Sequence, residues 1–444
     1  MKLYSRIARN LAPFAIACVL LATALPGRAA ETSAALPDPL TLEHALSLAD
    51  APHPDLLDAQ ARLDLAEAAR MAVDAQMGVN VGIEARAQWV DPSDVNGDQS
   101  NNDSSAAFFM HKQLYDFGRT SARRSAAESE IKGRELLYLD AQQRRRIAIM
   151  EDFFNVLLAD LEYVRDNEAM AVAYVDLDKI RDRHELKQVS DIVLLQAESD
   201  YQQTRRRAAE SRLRQQTSRA RLAETLGRPG ELPARLVEPD LAVNNRELPP
   251  LEQLTADALA NNPVLLALRA QLQAAQERLQ AARAEQRPTL SGEFRAAQYE
   301  RDLSGRDDVR IGLVLEVPLY QGGAVQAGIA AAQADLRSVQ AQLARAEIDL
   351  RQSVLEAWQR LNVLRVQRDE AQVLSAYRDL YLDRSRALYE MEVTADLGDA
   401  MVRTSEARLR MAQTEYDLAL TWARLDALVG GAAAAGPDVA SPAP

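Results

Sequence analysis

Val79-Asn80-Val81-Gly82-Ile83-Glu84-Ala85-Arg86-Ala87-Gln88-Trp89 alternates apolar with small or polar residues without a break. A period of two puts every apolar side chain on one face of a strand. The pattern returns at Val309, Ile311, Leu313, Leu315, Val317 and Leu319, set against Arg310, Gly312, Val314, Glu316 and Pro318. Each run is about 11 residues, the length a tilted strand needs to cross a bilayer. Ser104 to Tyr115 and Thr289 to Tyr299 read as weaker partners, so strands are expected over 79–90, 104–115, 289–299 and 309–319. Trp89, Phe108, Phe109, Tyr115, Phe117, Phe294, Tyr299 and Tyr320 gather aromatics in a chain otherwise poor in them, as interface girdles do. Alternation by itself also describes a soluble hairpin with one wet face.

Working outward, the first strand pair closes on Leu114-Tyr115-Asp116-Phe117-Gly118-Arg119 and the second on Leu319-Tyr320-Gln321-Gly322-Gly323, about 205 residues later. Between Arg119 and Gly227 there is no proline, and Gly133 is the only glycine, so nothing but a polar turn interrupts a helix there. Ile147, Met150, Phe154, Leu157, Leu161 and Val164 recur at steps of three and four, the seam of a coiled coil. The offset of 205 runs on without a gap, pairing Ile149 with Val354, Phe153 with Trp358 and Val156 with Leu361. The chain is a tandem repeat.

Shorter helices precede each strand pair, over 40–49 and 55–76 in the first repeat and 251–261 and 264–286 in the second. Pro54 and Pro263 are 209 apart, so the four-residue difference falls in the hairpin tips, where length changes are tolerated. Reversals are expected at Lys187, Gln188, Val189 and Ser190, and at Glu392, Val393, Thr394 and Ala395. A helix from Thr120 to Leu186 is on the order of 100 Å long. The expected organisation is a first repeat over 30–226 with its helical hairpin at 120–226, and a Gly- and Pro-rich linker at 227–250. A second repeat over 251–430 with its hairpin at 324–428 follows, then a disordered tail at 431–444.

Lys2, Arg6 and Arg9 precede an apolar run from Leu11 to Leu25 and small residues around Arg28, the pattern of a secretory signal peptide over 1–29. Cys18, the only cysteine, lies inside that run, which leaves a mature chain without disulfide or thiol chemistry; a lipoprotein acylated at Cys18 is the other reading. No later stretch is long and apolar enough for a membrane helix, so any spanning falls to strands. A formal net charge of -13 argues against a nucleic-acid partner. His44, His53, His111 and His184 lack ligand spacing, and neither a phosphate loop nor a catalytic triad is present, so no metal, cofactor or enzymatic activity is expected. The runs Arg144 to Arg146 and Arg205 to Arg207 read as solvated helix faces or partners of neighbouring acids. Four strands do not close a barrel, and open edges are not tolerated in a membrane, so the chain must form a ring with copies of itself.

The duplicated strand pair, the two junctions, Asn262-Pro263, and Leu222-Ala223-Glu224-Thr225-Leu226-Gly227 closing the first repeat together resemble the TolC-type outer membrane efflux proteins over nearly the whole mature chain. The resemblance implies an α+β membrane protein: a homotrimer forming a 12-stranded β-barrel in the outer membrane and an α-helical periplasmic tunnel. It implies outer membrane lipid around the barrel, a periplasmic adaptor (membrane fusion) protein, and an inner-membrane pump of RND or ABC type. The expected function is the exit duct of a tripartite efflux or type I secretion system. The alternative is a secreted periplasmic coiled-coil scaffold, which explains the helices but not the matched strand pairs.

In that family acidic side chains just after the second turn narrow the periplasmic mouth, in a motif Asp-x-x-Asp-Ala that Asp396-Leu397-Gly398-Asp399-Ala400 matches. Positions three apart share a helix face, so three chains would present two carboxylate rings that concentrate cations. Asp after a turn is equally a favoured helix N-cap. Tyr389 matches the family's gate tyrosine, a position that packing at the tip also explains. The turn is about two residues shorter than the family's, the gate arginine has no counterpart, and in the first repeat Asp191 matches Asp396 while Leu194 replaces the second carboxylate. Lys187, Gln188, Val189 and Ser190, with Glu392, Val393 and Thr394, are the expected adaptor-docking tips.

Overall fold

The computed structural model describes residues 36–92, 98–231, 233–301, 303, 306–391 and 396–431. The expected signal peptide with Cys18, the tip residues Glu392, Val393, Thr394 and Ala395, and the tail from 432 lie outside the described residues. The described residues from Asp38 onward belong to one unit; of Met1–Pro37 only Leu36 and Pro37 are described.

The first repeat runs α1 (Leu42–Ser47), α2 (Pro54–Ala75), β1 (Val79–Arg86), β2 (Ser105–Tyr115), α3 (Arg119–Glu185) and α4 (Asp191–Thr225). The second runs α5 (Leu251–Asn261), α6 (Pro263–Ala284), β3 (Thr289–Tyr299), β4 (Val309–Glu316), α7 (Ala324–Glu390) and α8 (Leu397–Val429). α3 and α7 each have 67 residues, and both ends of α7 lie 205 residues beyond those of α3. α2 and α6 each have 22, both ends 209 apart. Ile149 and Val354 are both fully buried, as are Val156 and Leu361, so equivalent positions of the two repeats do equivalent work.

A hydrophobic core lies where α5, α6, α7 and α8 meet, around Leu265, Val354, Leu361, Leu418 and Trp422. Asn262-Pro263 owes its place to this junction. Asn262 caps α6 by accepting the Leu265 N–H at 3.0 Å, and its amide donates to the Leu428 carbonyl at 3.0 Å. Proline at the first helical position gives up an N–H that has no partner there in any case.

A single apolar seam along α3 is not what forms. Val164 is about half exposed, whereas Ile149, Phe153 and Val156 are sealed, with Arg145, Asp152 and Asp166 buried among them. The reason is the number of neighbours. α3 packs on α2 and α6 along one part of its length and on α4 and α8 along the rest, so it buries several faces in turn.

The strands form one antiparallel sheet in the order β1-β2-β3-β4. Register groups the side chains into rows: Val81, Met110, Phe294 and Ile311 lie side by side, as do Ile83, Phe108, Ala296 and Val309. This face is apolar apart from Lys112, in the row of Val79 and Leu313, and Gln298, in the row of Ala85, and none of the described residues covers it: Ile83 is 80% exposed, Ile311 78% and Leu313 72%. The other face is polar, with Asn80, His111 and Glu293 in one row and Arg295 and Arg310 in the next. Here Arg295 pairs with Glu84 at 3.4 Å and His111 approaches Glu293 at 3.6 Å. Gly82 leaves room on this face for the Phe109 ring, which a Cβ at that position would strike. β1 and β4 are shorter than the alternation suggests. β4 stops before Pro318, which has no N–H for a ladder, and beyond β1 only a Trp89–Asn102 bridge continues the pairing. Of the expected aromatic girdle, Trp89 lies beyond one end of the sheet and Tyr115, Phe117 and Tyr320 at the other, while Phe108, Phe109 and Phe294 lie mid-strand.

The junction motifs are reversals. Phe117 (φ 53°) and Gly118 (φ 95°), and 205 residues later Gly322 (φ 61°) and Gly323 (φ 85°), place two successive left-handed residues between strand and helix. Asp116, buried, secures the first by accepting N–H groups from Thr120 at 2.7 Å and Gly118 at 3.2 Å. Burial pushes its carboxyl up, but these hydrogen bonds and the Arg119 charge outweigh burial and hold it below the usual range.

Candidate functional site

At the first tip the chain leaves α3 through Lys187, a non-glycine residue at φ 57°. The Gln188 N–H reaches the Arg183 carbonyl at 2.8 Å and the Lys187 N–H reaches that of His184 at 2.8 Å, the paired bonds of a Schellman ending. His184 Nε2 lies 2.7 Å from Asp191 Oδ1, tying the end of α3 to the start of α4. Lys187, Gln188 and Ser190 are exposed and Val189 half-buried. Leu186 (68%) and Ile192 (79%) leave apolar surface beside them.

At the second tip α7 ends at Glu390, with Tyr389 exposed, and α8 begins at Leu397. Asp396 is the N-cap of α8: its Oδ1 accepts the Asp399 N–H at 3.2 Å. The capping role that Asp396 shares with any Asp after a turn is thus filled, and the carboxylate remains exposed to solvent. Asp399, one turn in, is half-exposed and lies 3.3 Å from Arg403 Nε; Arg403 Nη1 lies 3.3 Å from Glu406 Oε2. Asp399 and then Glu406 raise the Arg403 pKa above the usual arginine value. Sequence reading found the two aspartates and missed Arg403, although its spacing of four from Asp399 is the signal for a helical ion pair. Gly398, between the aspartates, brings α8 against α3: a Cβ there would sit 2.8 Å from Val172 Cγ1.

Asp399, Arg403 and Glu406 line a groove of about 450 Å³ between α3, α4 and α8, with Arg165, Asp166, Thr204 and Arg207 on its other walls. A second cleft continues along the same three helices past Asp152, Glu162, Arg214 and Arg221. Cations and anions alternate along this face: Arg221 meets Asp152 at 2.9 Å, Arg214 meets Glu162 at 2.8 Å and Arg165 meets Asp166 at 2.7 Å. The inter-repeat linker lies elsewhere on α3 and α8, where Leu236 to Leu241 and Asn245 share a cleft of about 640 Å³ with Leu157, Leu161, Met411 and Tyr416. One face of the helical wall is strapped by the linker and the other is an open polar track.

Among the described residues, helix packing follows the sequence α4–α3–α8–α7 near the tips, so α4 and α7 are the flanks. α7 carries exposed Val366, Val373 and Leu380 at steps of seven, and α4 carries Ile192, Leu195 and Leu213. The sheet likewise ends in β1 and β4, each with one unpaired edge. No helix among the described residues is long and apolar enough to cross a membrane, and none of their His, Cys, Asp and Glu side chains group as metal ligands. A periplasmic scaffold would leave the apolar face of the sheet in water; a lipid-facing barrel does not.

The profile of the outer membrane efflux protein family matches residues 45–228 and 254–431. The curated proteins hold no match to the chain. Among solved structures, a membrane protein from Pseudomonas aeruginosa is similar with a TM-score of 0.72 at 18% identity, over 88% of this chain and 90% of that one. The Campylobacter jejuni CmeC outer membrane channel is similar with a TM-score of 0.72 at 16% identity, over 89% of this chain and 87% of that one. The open state of the Neisseria gonorrhoeae MtrE outer membrane channel gives 0.69 at 18% identity, over 88% of this chain and 89% of that one. At these identities the structures speak for the fold, and the family match, over most of the chain in two blocks that follow the duplication, speaks for the role. The chain belongs to the outer membrane efflux protein family, whose members are channels rather than enzymes and serve tripartite systems with a periplasmic adaptor and an inner-membrane pump.

Proposed function

We propose that three copies of this chain close into one duct, each β1 edge pairing with a neighbour's β4 and each α4 flank with a neighbour's α7. The observation that carries this is the coincidence of open ends: sheet and helical wall both stop at edges that a copy of the same chain completes. The apolar face of the sheet then meets outer membrane lipid, and the polar face, with His111, Glu293 and Arg295, lines water. The charged track on α3, α4 and α8 faces inward, because a linker strapped across the other face would obstruct a lumen.

In this reading Asp396, Asp399 and Tyr389 stand at the periplasmic mouth. Lys187, Gln188, Val189 and Ser190, with Glu392, Val393 and Thr394, meet the adaptor, and the exposed Leu186 and Ile192 offer it apolar purchase. The pump is of RND or ABC type, and the pump selects the cargo. Electron microscopy of the detergent-extracted protein tests the ring: threefold rods with a helical stem on the order of 100 Å are expected, and monomers without a barrel would refute it. In a planar bilayer, Asp396→Ala with Asp399→Ala should lower cation selectivity; unchanged selectivity would remove both residues from the mouth.

A further inference from the structure

We propose that Arg403 sets the ion selectivity of the periplasmic mouth by neutralising Asp399 within its own chain. The inference deepens the reading of the mouth above and rests on it. The two carboxylates singled out by the motif do not stand alone. Arg403 lies between Asp399 and Glu406 with 3.3 Å contacts to each, on the helix face that borders the groove with Arg165, Asp166 and Arg207. Each copy therefore brings three carboxylates (Asp396, Asp399 and Glu406) and one guanidinium to this end of α8.

The pair is half-exposed on both sides, so it adds little to stability and its main effect is on the local field. Charges this close to one another and to a permeating ion lie well within the Debye length of about 8 Å at physiological salt, so a single guanidinium per chain offsets a full carboxylate in the field an ion meets. The same arrangement recurs further along the track, where Arg214 and Arg221 offset Glu162 and Asp152. The mouth is thereby a moderated acidic ring, open to anionic cargo that three bare carboxylates per chain would repel.

The test is a charge cycle read as reversal potentials in a salt gradient across a planar bilayer, with trimer assembly of each variant checked by gel mobility before heating. Arg403→Gln should raise the cation-to-anion permeability ratio by about twofold or more, Asp399→Asn should lower it by a similar factor, and the double variant should return to the parent value. Arg403→Lys, which keeps the charge and loses the planar fork, should leave the ratio near the parent's. If Asp399→Asn lowers the ratio and Arg403→Gln does not raise it, Arg403 does not act on the path and the inference falls while the mouth stands. If neither variant moves the ratio, the mouth assignment itself is wrong. A double variant that stays displaced would show that the two groups do not act as one compensated charge, and would also overturn the inference.

Discussion

Placing an arginine on the apolar face of the sheet tests the barrel more directly than any change at the tips. Ile311 lies in the row Val81, Met110, Phe294 and Ile311, which is apolar throughout, and is 78% exposed in the single chain. Two residues of a strand tilted by about 40° advance about 5 Å along the membrane normal, so the rows from Ala85 down to Leu315, apolar apart from Gln298 and Lys112, cover roughly 20 Å, most of the height of a lipid-facing band. Ile311 is about 10 Å inside the upper edge of that band, at a depth where arginine costs about 2–3 kcal/mol per chain. That is a loss of about 30- to 150-fold in the folding equilibrium for each copy. The neighbouring residue, Arg310, already places an arginine on the opposite face. Ile311→Arg should therefore lower the urea midpoint for folding into lipid vesicles, read by the heat-dependent gel shift, while Arg310→Gln should move it by less than about 0.5 kcal/mol. Equal effects at the two positions, or none at Ile311, would mean that the exposed apolar face does not meet lipid.

Three further outcomes are expected. Asp116→Ala removes acceptors from the Thr120 and Gly118 N–H groups and should cost about 1–2 kcal/mol, measured by thermal loss of the folded band. Because the Asp116 pKa is depressed, its contribution is complete above the unfolded carboxylate range and disappears as pH falls through the folded value. The second junction has Gln321 at the equivalent position, so acid should loosen the first junction selectively, read by hydrogen exchange at the start of α3 against that of α7. His53 caps α2 by accepting the Asp55 N–H at 3.3 Å, and burial, then the Arg145 charge, hold it below the usual 6.5, with Asp55 opposing. Its stabilisation is present above 6.5 and is lost as pH falls through the lowered value, so exchange at the start of α2 should quicken on acidification and lose that dependence in His53→Asn. Lys187→Gly relieves a left-handed residue at the first tip and should stabilise the α3–α4 hairpin by about 0.5–1 kcal/mol, read as slower exchange there.

Alternation in Val79 to Trp89 and in Val309 to Leu319, with the paired junctions, made the barrel strands and the duplication readable, because a strand that faces lipid on one side and water on the other must alternate. The left-handed backbone at Gly118, Gly322 and Gly323 falls on glycines of the quoted junctions, whereas Phe117 occupies such a position with no sequence signal. What α3 packs against was not readable: a helix with neighbours on several faces shows no single stripe, and Val164 fits the heptad spacing without entering a seam. At the proposed mouth, the motif pointed to Asp396 and Asp399 but not to Arg403, the ion-pair partner of Asp399. That partner lies one turn further along α8, where an arginine in a long polar helix attracts no notice until the groove it borders is seen.

The equality of α3 and α7 constrains how this chain can change in length. Each is a ruler from the membrane to its tip, and the two agree residue for residue at an offset of 205. Seven residues inserted in one of them would advance its tip by about 10 Å, leaving alternate hairpins around the ring at different heights. An adaptor docked on the tips as proposed would then find half its footing withdrawn. A longer or shorter tunnel is reached by matched insertions in both rulers and in their return helices, so spacer length in such channels should change in coordinated steps, whereas the hairpin tips on the opposite side of the membrane are free to vary one residue at a time.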